Sequence, residues 1–254
     1  MSEAHPAGFP PALSREAPGR EPVRLAALSL LSSRIAACTA CDAKRPANLR
    51  VVGEGPTDAP IVIIGEAPGA EEETAGRPFV GQSGQMLDSW LASAGLIRQR
   101  LRIMNAMACR PCEPGARRGT LRNRQPTKSE SKSCRPHALA HLDLLESPGV
   151  LVLVGGTALA LFNPRLRIGE VVSPVWNGYG KPDGEFMARM NGMPPLPRPW
   201  IRLFVTWHPA GVMRLQREDK TKFEAAVRAS VASLTAARQY VEKHMPERTG
   251  LSRG

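Results

Sequence analysis

The chain has 254 residues, of which 42% are hydrophobic, so it can bury one sizeable core, and one domain with irregular ends fits better than two domains. Its 34 Lys and Arg outnumber its 23 Asp and Glu, and the formal charge of +11 suits a polyanionic partner, although a basic surface alone is weak support. No apolar run approaches the roughly 20 residues that span a bilayer, and the start of the chain lacks the apolar stretch of a signal peptide. We therefore expect a cytoplasmic protein without a membrane partner, with one domain at residues 22–245 between flexible tails at 1–21 and 246–254.

Four short runs predict buried strands, because each is nearly continuous in apolar residues and is bounded by turn signals. These runs are Ile61–Gly65, Leu101–Ala106, Gly149–Gly155 and Ile201–Trp207. Amphipathic patterns among them predict helices at Val23–Cys38, Ser83–Ala94, Thr127–Glu146 and residues 217–244. Strands that alternate with helices predict an α/β fold, a three-layer α/β/α domain around a central, four-stranded, mostly parallel sheet. The segment Ser173–Pro199 is rich in Gly, Pro and Asn, which favours an irregular excursion.

Sites in such sheets form at the carboxyl ends of the strands, where four polar segments follow the predicted strands. These segments are Glu66–Glu73, Asn105–Arg110, Gly155–Thr157 and His208–Arg214. The first lies in "IVIIGEAPGAEEETAGRPFVG", a glycine-rich turn from strand to helix of the kind that often binds phosphate through backbone N–H groups. Three consecutive glutamates in that turn would repel a phosphate, so its ligand has to be explained differently.

The cysteines are spaced like metal ligands. Cys38 and Cys41 form one C-x-x-C pair, Cys109 and Cys112 form a second, and Cys134 stands alone. In a cytosolic chain this pattern favours a metal over disulfides. Spacing alone favours a structural zinc with four thiolates over an iron–sulfur cluster, and ordinary buried cysteines are the third alternative.

Five motifs occur in one order along the chain. They are Cys38-x-x-Cys41, "GEAPGAEEETAGRPFVGQSGQMLD", "NAMACRP", "NRQPT" followed by Cys134, and "WHPAGVMR". In this order the sequence resembles the family 4 uracil-DNA glycosylases, over roughly residues 28 to 240. The resemblance implies the uracil-DNA glycosylase fold and a DNA repair enzyme that flips uracil out of DNA, hydrolyses its N-glycosidic bond and leaves an abasic site.

The same resemblance implies a [4Fe–4S] cluster, which reverses the preference for zinc. Its ligands would be Cys38, Cys41, Cys109 and Cys134, and Cys112 would be the spare thiol. It also implies uracil-containing and abasic-site DNA as partners, a monomer, and a bacterial cytoplasm with the protein at the nucleoid.

The resemblance assigns roles around the uracil ring. Glu66 and Ala67 contribute backbone to the pocket, and Phe79 stacks on the flipped base. The amide of Asn105 can donate to O4 and accept from N3–H, whereas cytosine reverses both polarities. His208 stabilises the negative charge that develops on O2 when the bond breaks.

Glu72 is grouped with the catalytic residues, because the resemblance implies that it crowds the methyl group of thymine. Ala70 departs from the family, whose close relatives carry an acidic residue there that positions the attacking water. Glu71, Glu72 or another polar group would take over, or backbone groups would hold the water while the bond breaks dissociatively.

Two segments are predicted to contact DNA. By resemblance, Val212 and Met213 wedge into the gap left by the flipped base, and Arg214 follows them. The stretch Arg110–Arg135 holds eight Lys or Arg and only two acids, and is longer than the corresponding family segment. Its candidate phosphate contacts are Arg117, Arg118, Arg122 and Arg124.

Two other functions remain open from the residues. Ala70 and the long basic stretch are compatible with a protein that binds uracil or abasic DNA, or clamps the product, without cutting. A nucleotide-binding enzyme is disfavoured, since there is no G-x-x-x-x-G-K-[ST] and no G-x-G-x-x-G after a strand.

Overall fold

A four-stranded parallel sheet forms the centre of the protein, in a computed structural model that describes residues 20–43, 49–146, 148–172 and 201–248. Its strands are β1 (Ile61–Gly65), β2 (Arg102–Asn105), β5 (Val150–Val154) and β6 (Arg202–Thr206), in the order β2-β1-β5-β6. A separate antiparallel hairpin consists of β3 (Cys112–Pro114) and β4 (Leu121–Asn123). The parallel register aligns Gly65 with Asn105 and Val154 with Thr206, so the carboxyl ends of all four strands lie along one edge.

The described helices cover both faces of the sheet. In chain order they are α1 (Arg20–Ala36), α2 (Ala70–Ala75), α3 (Gln82–Ser93), α4 (Lys128–Asp143), α5 (Gly156–Phe162), α6 (Ile168–Val171), α7 (Pro209–Glu218) and α8 (Lys220–His244). Short 3₁₀ turns occupy Arg98–Arg100 and Pro246–Arg248. None of the helices described is both long enough and apolar enough to cross a bilayer.

The core has two main layers because successive strand residues point to opposite faces of the sheet. Ile61 and Ile63 pack with α3, α7 and α8 on one face. Val62 and Ile64 pack with α4, α5 and α6 on the other. The predicted three-layer α/β/α architecture is therefore confirmed. A third cluster joins α1 to α4 and contains Cys109 and Cys134.

The four predicted strands agree with those observed to within one or two residues at each end. The single helix predicted at 217–244 was wrong in its start, because Asp219 ends α7 and caps α8, accepting a hydrogen bond from the Lys222 amide at 3.0 Å. The basic stretch contains the hairpin β3–β4, which the sequence did not predict. The segment Ser173–Pro199 and most of both predicted tails lie outside the described residues, although α1 begins at Arg20.

A buried Arg–His pair connects β2 to α4. Nε of Arg102 donates to Nε2 of His141 at 3.1 Å, and Nη2 of Arg102 lies 2.9 Å from the same nitrogen. The guanidinium also donates to the Gly55 carbonyl. Burial lowers the pKa of His141 to about 3, and the positive charge of Arg102 is the second cause of this decrease. The ring is therefore neutral in the folded protein and accepts from the arginine.

This pair predicts an acid-dependent loss of stability. In the unfolded chain His141 takes up a proton below its ordinary pKa of about 6.5, while the folded chain does not, so stability falls as pH decreases from 6.5 towards 3. Between pH 7.5 and 5.5 the wild type should lose about 1 kcal/mol more unfolding free energy than His141→Gln. Urea denaturation at both pH values measures this, with His244→Gln in an exposed position of α8 as the control. Equal losses in wild type and His141→Gln would contradict the prediction.

Candidate active site

A cavity of about 730 Å³ lies at the carboxyl edge of the sheet. Its wall is formed by the segments that follow β1, β2, β5 and β6, together with the end of the hairpin and the start of α7. The predicted residues Glu66, Ala67, Phe79, Asn105 and His208 all line it. A cavity of this size, made from strand ends, is typical of a small-ligand site in an α/β sheet.

Gly65 allows two of these residues to meet at the end of β1. A Cβ at this position would lie 2.4 Å from Oδ1 of Asn105 and 2.4 Å from Cζ of Phe79. No real Cβ tolerates such distances, so only glycine permits both side chains to pack against the strand end. The carboxamide and the aromatic ring are therefore held side by side and largely buried.

His208 is brought to the same cavity by another glycine. Gly155, with φ of +93°, follows β5, and a Cβ there would lie 2.8 Å from Cβ of His208. His208 caps α7, and its Nδ1 accepts a hydrogen bond from the Ala210 amide at 3.2 Å. Its ring centroid is 6.2 Å from that of Phe79.

The imidazole of His208 is neutral near pH 7. Burial is the main cause that lowers its pKa. The carboxylates of Glu66 and Glu72 raise this pKa, whereas the positive charge of Arg214 lowers it. Because Nδ1 accepts from the Ala210 amide, the proton of the neutral ring lies on Nε2. His208 therefore offers one N–H donor without a positive charge.

Glu66, directly after β1, is held by hydrogen bonds to its side chain and to its backbone. Its side chain accepts a hydrogen bond from Oγ1 of Thr157 at 2.6 Å, which joins the loop after β1 to α5. Its backbone carbonyl accepts from the Met107 amide at 3.1 Å. Thr157 belongs to a segment that the sequence placed at the strand ends, but its bond to Glu66 was not predicted.

Phe79 has an unusual backbone. Its φ is +52°, the left-handed region that non-glycine residues rarely adopt. Gly84 accommodates this conformation, because a Cβ at position 84 would lie 1.9 Å from the Phe79 carbonyl oxygen. Such strain persists only where the surroundings hold it in place.

Glu72 supplies part of that support. Its Oε1 accepts from the amides of Val80 and Gly81 at 3.1 and 3.0 Å, and its Oε2 accepts from the Gly69 amide at 3.0 Å. One buried carboxylate thus ties the loop after β1 to the segment that carries Phe79. Its oxygens are engaged with backbone donors.

Asn123, at the end of the hairpin, also lines the cavity and was not predicted as a site residue. Its Oδ1 accepts from Nε of Arg110 at 2.6 Å, and its Nδ2 would lie 3.2 Å from a Cβ at Gly69. Arg110 also pairs with Glu73 of α2 at 3.2 Å. The "NRQPT" motif was the available signal, but sequence spacing did not show that it reaches the cavity.

The predicted DNA contacts differ in their exposure. Arg117 and Arg118 are exposed at the tip of the hairpin, and Arg122 is 69% exposed beside Glu113. Arg124 lines the cavity, but both of its terminal nitrogens bind the carboxylate of Glu130, at 2.8 and 2.5 Å. The Arg124 guanidinium therefore stabilises the start of α4.

In α7, Met213 and Arg214 line the mouth of the cavity, and Arg214 is exposed. The expectation for Val212 was wrong. Its side chain is 1% exposed and packs in the core between the sheet and α8, because it lies on the inner face of the helix. It cannot wedge into DNA from there.

The four cysteines implied as ligands come from three segments that pack together. Cys38 and Cys41 follow α1, Cys109 follows β2, and Cys134 lies in α4. Burial raises the pKa of Cys109 to about 11 and that of Cys134 to about 12, and the charges of Cys38 and Cys41 add to both increases. These four thiols therefore lie within electrostatic range of one another, and burial disfavours the thiolate forms of Cys109 and Cys134.

Among the described residues, no three His, Cys, Asp or Glu side chains form a group that fits a single metal ion. Nε2 of His137 lies 3.3 Å from Sγ of Cys38, and the Ala108 amide donates to Sγ of Cys134 at 3.5 Å.

Comparisons with known proteins agree on one family. Residues 52–232 match the family model described as the uracil DNA glycosylase superfamily. A type-4 uracil-DNA glycosylase of Thermotoga maritima is 38% identical over 53% of this chain and 65% of its own length, just under two thirds. One from Pyrobaculum aerophilum is 32% identical over 74% of this chain and 85% of its own. One from Saccharolobus solfataricus is 26% identical over 82% of this chain and 89% of its own length.

The bonds of Glu72 predict a stability effect. Glu72→Gln keeps the shape but places an amide donor opposite a backbone donor, which should lower the free energy of unfolding by about 1–3 kcal/mol. Glu71→Gln, in the same helical turn but exposed, is the matched control and should change it by less than about 0.5 kcal/mol. Urea denaturation at pH 7.5 measures both variants. Equal effects of the two substitutions would show that the three bonds of Glu72 do not stabilise the fold.

Proposed function

The chain belongs to the uracil DNA glycosylase superfamily, and from this membership we propose that it hydrolyses the N-glycosidic bond of uracil in DNA and leaves an abasic site. The observation that carries the proposal is the convergence of Phe79, Asn105 and His208 on one cavity. An aromatic face, a carboxamide and a neutral imidazole are the groups needed to stack on, read and activate a planar pyrimidine.

Recognition begins when the base leaves the duplex, because its glycosidic bond cannot be reached inside the stack. Phe79 stacks on the everted ring, a contact worth about 1–3 kcal/mol for bases on aromatic side chains. The Asn105 amide donates to O4 and accepts from N3–H, and cytosine would leave both groups unpaired. The backbone of Glu66 and Ala67 borders the ring. Glu72 forms the adjacent wall, where its fixed carboxylate crowds the methyl group of thymine.

Catalysis rests on His208. Bond cleavage moves negative charge onto the uracil ring, and an N–H donor aimed at O2 stabilises this charge more than it stabilises the substrate. A neutral imidazole with its proton on Nε2 supplies that donor and keeps its own proton. Burial of the ring supports this form, since removal from water disfavours the imidazolium.

The attacking water needs a holder, because the methyl group of Ala70 cannot bind it. Glu72 is occupied by three backbone amides. Asn123 has its amide oxygen bound by Arg110 and its nitrogen close to Gly69 in the cavity wall. We assign the positioning of water to this amide, which orients the molecule without removing its proton.

DNA would be bound by a basic rim, which consists of Arg214 at the cavity mouth and Arg117, Arg118 and Arg122 on the hairpin. Met213 also borders the mouth. Phosphate contacts from these arginines make affinity for uracil-containing and abasic DNA fall steeply with salt. The enzyme would act as a monomer on DNA in the cytoplasm, at the nucleoid.

A [4Fe–4S] cluster would be held by Cys38, Cys41, Cys109 and Cys134. The packing of Cys41, Cys109 and Cys134 in one cluster supports the assignment, and Cys112 lies instead in the hairpin, opposite Asn123. When bound, the cluster would cross-link α1, the segment after β2 and α4, and so anchor the base of the hairpin. The glycosidic step needs only the residues of the cavity.

His208→Ala tests the proposed activity. Wild type should release free uracil without Mg²⁺ from U·G, U·A and single-stranded substrates, and alkali should reveal abasic sites. The variant should lose about 10²–10³-fold in rate while its DNA affinity stays within about twofold, because it lacks only a transition-state donor. His244→Ala, in an exposed position, is the control. A wild type that binds uracil DNA tightly but releases no base would establish the alternative function, a binder or product clamp.

Cysteine substitution tests the cluster. Cys134→Ala should lose most iron and acid-labile sulfide, whereas Cys112→Ala, equally buried but outside the set, should retain both. Metal and sulfide analysis of the purified proteins, with absorbance near 400 nm, gives the readout. Stoichiometric zinc without sulfide in the wild type would overturn the assignment.

A further inference from the structure

We propose that Arg98 is a positioning residue that fixes the stacking ring of Phe79 by binding the carbonyl group of Pro78. The inference deepens the proposed function and rests on it, because it concerns how the ring is oriented over the flipped base. Arg98 belongs to the 3₁₀ turn before β2 and to none of the five motifs, and it lies outside the cavity wall.

The guanidinium of Arg98 connects the Phe79 segment to the sheet. Its Nη2 donates to the Pro78 carbonyl at 2.7 Å and to Oε1 of Glu54 at 2.7 Å, and its Nε donates to the same oxygen at 3.2 Å. Its Nη1 donates to Oδ1 of Asp88 in α3 at 2.7 Å. The Arg98 side chain is only 17% exposed, and its bonds to Pro78 and Glu54 are partly buried, whereas its bond to Asp88 is exposed.

Glu54 is itself anchored to the edge of the sheet. Its backbone amide and carbonyl exchange hydrogen bonds with Ile103 of β2, both at 2.9 Å. The next residues of β2 lead directly to Asn105. Arg98 therefore ties the residue before Phe79 to the strand that delivers the carboxamide, which couples the two groups that contact the base.

Phe79 is then held on both sides of its left-handed backbone. Arg98 binds the carbonyl before it, and Glu72 binds the amides of Val80 and Gly81 after it. A φ of +52° is unfavourable for phenylalanine, so a peptide released on one side would relax towards an extended conformation. That rotation would swing the ring away from Gly65 and from the position in which it stacks.

The expected consequence is a slower chemical step with unchanged affinity for undamaged DNA. Arg98→Met keeps the length of the side chain but removes its donors. Its single-turnover excision rate should fall about tenfold, because small misplacement of a substrate-orienting group costs one to two orders of magnitude. Its dissociation constant for undamaged DNA should stay within about twofold, since phosphates are bound at the basic rim.

Arg77→Met is the matched control. Arg77 donates to Oε2 of the same Glu54 at 2.7 Å, but its side chain is 62% exposed and makes no hydrogen bond to Pro78. Removing this exposed ion pair should change the rate by less than about twofold. Arg98→Lys should recover part of the rate, because one ammonium donor can still reach the Pro78 carbonyl. Melting temperatures of all variants report folding, and Arg98→Lys also serves if Arg98→Met does not fold.

A double-mutant cycle with Phe79→Ala shows whether Arg98 acts through the ring. If it does, Arg98→Met should lower the rate by less than about twofold in the Phe79→Ala background, although it lowers it about tenfold in the wild type. Equal effects in both backgrounds, or an unchanged rate in the single variant, would overturn the inference while wild-type uracil release keeps the proposed function intact. A wild type that releases no uracil would overturn both.

Discussion

The end of β1 has no side chain at Gly65, and the cavity depends on this absence. Parallel strands buried on both faces bring their carboxyl ends to one edge, but that arrangement alone leaves only a row of loops. Because no Cβ is present, the Asn105 amide and the Phe79 ring both pack against the strand end. Gly155 does the same for His208 on the other side. A methyl group at either position would separate the groups that contact one ring in the proposed reaction.

The hydrogen bonds of the backbone amides explain why the glycine-rich turn contains glutamates. In a phosphate-binding turn the backbone N–H groups point at the ligand. Here the amides of Gly69, Val80 and Gly81 donate to the carboxylate of Glu72 instead. The chain supplies its own anion, so the turn becomes a rigid wall and the cavity is left for an uncharged ring. The same carboxylate and Arg98 together hold Phe79 in a conformation that it would not adopt alone.

The sequence predicted the elements that depend on hydrophobic composition and periodicity. The four central strands are uninterrupted apolar runs, and parallel topology then placed Asn105 and His208 at one edge. The hairpin β3–β4 was missed because its three-residue strands are short, largely polar and without alternation. Val212 was misplaced because a motif gives the position of a residue along a helix, whereas burial depends on which face packs inward. Arg98 could not be found at all, since its bond to Pro78 joins residues 20 apart in sequence.

The distribution of charge fits a dissociative cleavage better than attack by a strong base. The chain carries a formal charge of +11, and exposed arginines lie on the hairpin and the rim, whereas Glu66, Glu71 and Glu72 line the cavity beside a neutral His208. In the proposed function, phosphates would be attracted to the rim and repelled from the interior, so the DNA backbone would stop at the mouth while the base enters. In the proposed reaction the carboxylates would favour the positive charge that develops on a sugar in an oxocarbenium-like transition state. His208 then offsets their repulsion of the departing uracil anion with a single hydrogen bond. A chain with alanine at position 70 can work in this way because water needs only to be held in place while the bond breaks.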